Sequence, residues 1–184
     1  MIYFLRHGLD DETYIGGWSD VDLTSSGIEQ VKEIISVISK LPISKIVSSD
    51  VKRARTTAEI VGNALNLPIE YSNKFRELDK GLLTGLKVND AYNRYPEYKD
   101  GITIDMRYPE GESMMDLYER VRLLLGEIEG WDEVLIVTHR GIINMVYFLT
   151  ENKLPDMDKN QFGVTHASLH AYNPKQKKIG KVGI

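Results

Sequence analysis

The 184-residue chain contains no cysteine. Disulfides, thiolate metal sites and a cysteine nucleophile are therefore excluded. No stretch approaches the ~18 consecutive apolar residues that a membrane-spanning helix needs. The first residues, Met1 to Leu5, form an apolar run that meets Arg6 and His7 at once. A secretory leader needs a basic start, a longer apolar stretch and a small-residue cleavage site. A cytoplasmic protein is expected. There is no basic excess: 23 Lys and Arg face 27 Asp and Glu, for a net charge of −4. That argues against nucleic acid as the main partner, because phosphate-backbone binders carry a basic face. It does not argue against a small anion, because a few arginines in a cleft dominate its local field. Repeats, low-complexity tracts and linker-like segments are missing, so one domain over residues 1–184 is expected. A domain of this size hides roughly 70% of its extended-chain surface without staples.

What is present alternates between short apolar runs and amphipathic stretches. Ile2–Leu5 and Ile43–Ser48 read as buried strands, Leu67–Tyr71 as a short one, and Val134–Thr138 as another buried one. Ser26–Leu41, Val51–Leu65, Ser113–Ile128 and Gly141–Leu149 carry apolar residues at helical spacing. Ser26 with Glu29, and Ser113 with Asp116, are candidate helix entries. Residues 74–112 read as irregular, with a helix near Asp90–Tyr95, and His166–Tyr172 and Ile179–Val182 as closing strands. Strands alternating with helices imply a three-layer α/β/α sandwich around a mostly parallel sheet. Ligands bind beyond the carboxyl ends of such strands. Three segments follow apolar strands directly: Arg6-His7-Gly8, Ser49-Asp50 and His139-Arg140-Gly141.

These segments have a common chemistry. A neutral imidazole is a competent nucleophile near neutral pH and needs no base. A phosphorus centre under attack presents negative oxygens, which call for guanidinium and backbone N–H donors. Arg6 adjoins His7, and Gly8 lets backbone approach a phosphate. Arg53 falls in the first turn of a helix that Ser49 or Asp50 would cap, which makes an anion site. His139 is either a protonated partner for a phosphate oxygen or a satisfied turn residue. The tripeptide alone decides nothing, since a lone His after a strand is more often structural.

In order along the chain, the sequence resembles the histidine phosphatase superfamily, the phosphoglycerate-mutase-like group in its short phosphatase form. Arg6-His7-Gly8 matches its opening motif. Gly17, Asp20, Leu23, Thr24 and Gly27 match the next stretch, and Ser49 through Arg53 to Thr57-Ala58 the one after. Phe75, Glu77, Gly81 and Gly85 follow, then Pro109 to Ser113, then the strand ending at His139 and Gly141. The resemblance implies roles. His7 accepts the phosphoryl group, and Arg6, Arg53 and His139 hold its oxygens. Glu77 protonates the leaving oxygen and then activates water. Asp79 and Glu112 are rival carboxylates, Glu112 with Ser113 mainly a helix-entry feature. Substrate binding is expected from Arg6, Gly8, Thr13, Arg53, His139 and Arg140.

The sequence also departs from the family pattern. Asp10 and Thr13 occupy positions where members often have Thr and Asn, and Tyr14 replaces a frequent Arg. Lys80 replaces an aromatic, Thr84 a Glu and Arg140 a Gly. Lys80 and Arg140 either restore positive charge or stand idle. Tyr92, Tyr95, Tyr98 and Tyr108 either line a pocket or pack. His166 and His170, set on one face of a strand ~13 Å apart, cannot chelate one metal and are expected to be structural.

The resulting expectation is a metal-independent, cofactor-free hydrolase of a small phosphomonoester, working through a phosphohistidine. Neither nucleic acid nor membrane is an expected partner, and a homodimer is left open. One alternative is a cofactor-dependent phosphoglycerate mutase; such mutases are generally longer, with segments that shield the phosphohistidine. The other is a catalytically weak phosphate-binding regulatory module.

Overall fold

Every side chain of Ile2–Arg6 is buried, as a strand covered on both faces requires. It forms β1 of a six-stranded sheet in the computed structural model, which describes residues 1–183. The others are β2 (Lys45–Ser49), β3 (Ile69–Ser72), β4 (Val134–Thr138), β5 (Leu169–Asn173) and β6 (Lys178–Lys181). Five helices accompany them: α1 (Ser25–Ile38), α2 (Lys52–Leu65), α3 (Val88–Arg94), α4 (Met114–Glu127) and α5 (Arg140–Thr150). The strand order is β3-β2-β4-β1-β5-β6. The first four are mutually parallel, and β5 and β6 are antiparallel additions at the edge.

Handedness sorts the helices. A parallel crossover is right-handed, so reversing the direction of travel across the sheet changes the face that the helix covers. The chain moves outward from β1 to β2 to β3, then returns to insert β4. Accordingly, Tyr3, Leu5, Leu135 and Val137 pack with Val31, Ile34, Ala54 and Val61 of α1 and α2. The alternate residues Phe4 and Ile136 face the other way, against Leu117 and Val121 of α4 and Ile142 and Val146 of α5. The α/β/α sandwich anticipated from the sequence is present, with a mixed sheet.

Local details differ from the sequence expectation. α1 begins at Ser25 because Thr24, not Ser26, is its N-cap and accepts a bond from Gly27 N–H at 3.0 Å. At α2 the N-cap is Val51, with no side-chain cap bond, so neither Ser49 nor Asp50 caps it. Ser113 and Asp116 do form the reciprocal capping box of α4. β5 starts at Leu169, which leaves His166 in the loop before it.

This topology gathers the carboxyl ends of the parallel strands. Arg6 pairs with Thr138 in the β1–β4 ladder. His7 N–H then donates to Thr138 O at 3.0 Å, and His7 O accepts from Ala167 N at 3.1 Å. His7 and His139 thus leave neighbouring strands side by side. Just beyond, the chain crosses the first turn of α1. A Cβ on Gly8 would overlap Gly27 O, and one on Gly27 would come within 2.7 Å of Leu9 N. The two glycines let backbone touch backbone, and that contact sets the course of the loop after His7.

Gly27→Ala should therefore act as overpacking against rigid backbone, costing roughly 1–3 kcal/mol. The expected fall in Tm is on the order of 5 °C, measurable by thermal denaturation.

Candidate active site

The tautomer of His7 is fixed by its neighbour. His7 Nδ1 lies 2.7 Å from the carbonyl oxygen of Gly8. A carbonyl only accepts, so Nδ1 carries the proton and Nε2 keeps its lone pair. Nε2 faces Arg53, whose Nε donates to it at 3.2 Å. Arg53 is 2% exposed and anchored from behind: Nη2 donates to Gly17 O at 2.7 Å, and Nη1 reaches Ser19. The loop over residues 16–19 exists in this shape to hold that guanidinium. Arg6 closes the other side, with Nη1 on Val164 O at 2.9 Å and Nη2 on His166 Nε2 at 2.6 Å. The His139 ring lies 5.1 Å from the His7 ring, and its Nε2 is 2.9 Å from Ser49 Oγ.

Positive charge in a dry place governs the ionisation of these groups. Burial, then Arg53 and His139, push His7 well below the usual imidazole range. Burial, then Arg53 and Arg6, do the same to His139. Both rings are neutral at pH 7. Of the two readings of His139, a protonated partner for phosphate or a satisfied turn residue, the free protein has the ring neutral, with Nε2 on Ser49 Oγ. Burial, then Arg140, lowers the Arg6 pKa to about 10. Arg6 Nε and His139 Nδ1 are buried without a hydrogen-bond partner within the protein. Such orphans cost roughly 1–3 kcal/mol each, and an oxygen-rich anion would satisfy the guanidinium directly.

Glu77 enters from the segment after β3. Thr138 Oγ1 bonds Phe75 O at 2.7 Å, and Arg120 of α4 bonds the carbonyls of Lys74, Arg76 and Glu77. The carboxylate accepts from Leu78 N–H at 3.0 Å and from Gly141 N–H, in the first turn of α5, at 3.1 Å. A Cβ on Gly141 would strike Glu77 Oε1. The glycine two residues after His139 therefore makes room for the carboxyl. The rival carboxylates are occupied elsewhere. Asp79 accepts from Gly81 N–H, and Glu112 pairs with Arg120 at 2.7 Å.

Arg6, His7, Arg53, Glu77 and Arg140 line one cavity of about 260 Å³. Thr13 does not: its exposed hydroxyl donates to Asp11 Oδ1 at 2.7 Å. Gly8 serves packing and the His7 tautomer, and its N–H bonds Thr57 Oγ1 at 3.2 Å. Of the four tyrosines at 92, 95, 98 and 108, Tyr92 and Tyr108 reach the cavity, where Tyr14 also lies, and Tyr98 stacks on Tyr108 at 5.0 Å.

Two residues at the site were not expected there. The His166 ring is 5.6 Å from the His7 ring, against the expectation of a structural strand residue. The antiparallel β1–β5 register carries it there, and that register has no local sequence signal. Asp10 Oδ1 lies 3.7 Å from His166 Nε2, and its Oδ2 lies 3.4 Å from Arg53 Nε. Burial works to raise the Asp10 pKa, but contact with His166 and the charges of His7 and Arg53 outweigh it and hold it at about 2. His170 is structural: its two nitrogens meet Tyr147 Oη and Ser168 Oγ, and burial pulls it down to about 4.

Ligand atoms of His7, Asp10 and His166 lie within 4.8 Å of one another, close enough to clasp a metal ion. Both Nε2 atoms, however, already accept from guanidiniums. A metal cation would sit against two like charges, so the donor set suits an anion.

The model of the histidine phosphatase superfamily (branch 1) matches residues 2–183. A probable phosphoglycerate mutase GpmB of Escherichia coli is 35% identical over 130 residues, 67% of this chain and 60% of that protein. The chain thus spans about 60% of the length of the curated relatives it matches. Mycobacterial glucosyl-3-phosphoglycerate phosphatase with VO3 superposes with a TM-score of 0.77 at 25% identity, covering 92% of this chain and 90% of that one. The α-ribazole phosphatase of Shigella flexneri shares the fold, with a TM-score of 0.79 at 21% identity over 98% and 94% of the two chains.

Neutral His7, His139 and His170 also set a pH dependence of stability. Their folded pKa values lie below 6.5, so the unfolded chain binds more protons between those values and pH 6.5. Their contribution is complete above pH 6.5 and is lost as pH falls, by up to roughly 1.4 kcal/mol per pH unit for each ring still neutral. Urea denaturation at pH 7 and pH 5 should show the lower stability at pH 5.

Proposed function

We propose that this chain, which belongs to the histidine phosphatase superfamily (branch 1), hydrolyses a small phosphomonoester through a phosphohistidine at His7. The reading rests on one observation above all: His7 Nε2 carries its lone pair beside the Arg53 guanidinium, which donates to it at 3.2 Å. In the first step Nε2 attacks phosphorus and the ester P–O bond breaks. Arg6 and Arg53 stabilise the equatorial oxygens, and Glu77 passes a proton to the leaving oxygen. In the second step water attacks the phosphohistidine, Glu77 takes its proton, and inorganic phosphate leaves. His139, neutral in the free protein, becomes easier to protonate once a dianion lies beside it. No metal or cofactor enters either step. Asp10 and His166 act as positioning residues that bridge Arg53 and Arg6.

The mutase reading draws on the likeness to a probable phosphoglycerate mutase. The hydrolase reading draws on the glucosyl-3-phosphoglycerate phosphatase, which covers more of this chain. The two readings share the phosphohistidine and differ in its acceptor. A hydrolase releases phosphate from a phosphoglycerate faster than it interconverts the isomers, and a mutase does the reverse.

Replacing His7 with Ala should abolish turnover of an aryl phosphate, and EDTA should leave the parent rate unchanged. Turnover that survives His7→Ala, or that EDTA removes, contradicts the mechanism. Glu77→Gln should lower kcat for an alkyl phosphate by about 10²–10⁴. The loss should be smaller for an aryl phosphate, whose leaving group needs no proton.

A further inference from the structure

One wall of the cavity carries charge that the two steps above do not use. Lys80, Arg140 and Lys159 all line it. Lys80 precedes a short 3-10 turn, Arg140 opens α5, and Lys159 lies in the segment after α5. Among the described residues, none of the three side chains makes an ion pair or a hydrogen bond, and Lys159 takes part only through its carbonyl, which accepts from Asn144. Other arginines of the chain do close on carboxylates: Arg76 on Asp50, Arg107 on Asp116 and Arg120 on Glu112. Of the carboxylates that line the same cavity, Glu77 attracts Lys80 and Lys159 through space but pairs with neither. Asp156 accepts from Asp158 N–H and Gln161, Asp158 from Asn160 N–H, and Glu77 from two backbone N–H groups.

The three cations also feel one another. Burial, then Lys159, pulls the Lys80 pKa down to about 8; Glu77 opposes the shift, and Arg140 and Arg53 add to it. Lys159 is an exposed residue, yet desolvation, then Arg140, still lowers it, with Glu77 opposing. Like charges gathered in one cavity and only partly offset by Glu77 cost folding energy, and in a protein of net charge −4 they are not forced by composition. Such an arrangement is repaid when an anion binds between them.

We infer that Lys80, Arg140 and Lys159 form a second anion subsite, so that the preferred substrate carries a carboxylate or a second phosphate on its organic part. This rests on the phosphomonoester reading and deepens it. Arg6 and Arg53 take the phosphoryl group that is transferred. The second subsite takes the anion that stays with the leaving group, and it orients the ester oxygen toward Glu77. The apolar surface of Ile102, Met106 and Met145 lines the same cavity and would meet the carbon skeleton.

The test uses three matched esters: hydroxypropionate phosphate, propanediol bisphosphate and propanediol monophosphate, with homologues one or two carbons longer. Their Kd values are measured by calorimetry on the His7→Ala chain, which holds them without turnover. At least one of the two-anion esters should bind about tenfold or more tightly than the alcohol. Which one does so distinguishes carboxylate from phosphate. Lys80→Met and Lys159→Met, each added to His7→Ala, should bring the ratio toward one, and Lys80→Glu should invert it. Dichroism and Tm check each fold, with Lys80→Gln and Lys159→Gln in reserve. A ratio near one in the parent, or an unchanged ratio in the variants, overturns the inference. Failure of the hydrolase reading would show separately, as absence of phosphate release from every ester by the unmodified chain.

Discussion

Two guanidiniums buried against a neutral imidazole are the constraint on which the rest of this structure depends. Arg53 and Arg6 cannot be taken out of water unless every donor finds an acceptor, or is kept for one. Arg53 is therefore tied to Gly17 and Ser19, and Arg6 to Val164 and His166. Asp10 partly neutralises the pair, at 3.4 Å from Arg53 and 3.7 Å from His166. Burial first, and then the same field, keep His7 and His139 unprotonated. A nucleophile that would be partly spent as imidazolium near its ordinary pKa is thereby kept available, and the Gly8 carbonyl decides which nitrogen carries the lone pair.

The fold serves that cluster through its topology. Insertion of β4 between β2 and β1 places His7 and His139 at adjacent strand ends. β2 contributes Ser49 to His139, and α2 contributes Arg53 from its first turn. The reversal of chain direction puts α5 on the opposite face from α2. Its first turn can then meet Glu77 through Gly141. Close backbone contacts do the remaining work: Gly8 against Gly27, and Gly141 against Glu77.

The layer order, most helix and strand bounds and the central cluster were legible in the sequence, for a physical reason. Buried strands such as Val134–Thr138 and apolar helix stripes are local patterns. The tripeptide at Arg6 and the segments at Arg53 and His139 follow them at strand ends, whereas Glu77, in a stretch without periodicity, was marked only by the family resemblance. What was not legible depends on pairing between distant segments. His166 is 160 residues from Arg6, and the antiparallel register of β5 on β1 brings them to 2.6 Å. Lys159 reaches the cavity from a segment with no periodicity to place it. Thr13 was misplaced because its hydroxyl turns back to Asp11, a choice that composition does not reveal. The protonation state of His139 likewise follows from burial, which a strand-end position alone does not specify.

The central claim is that the phosphoryl group passes through His7. It is tested most directly by quenching the enzyme during turnover of an aryl phosphate and locating the label by peptide mass spectrometry. The account calls for one phosphoryl group on the peptide containing His7. It should be labile to acid, form at a rate no slower than turnover, and be absent from the His7→Ala chain. Turnover with no phosphorylated peptide under rapid quench, or with the group on another residue, would contradict it.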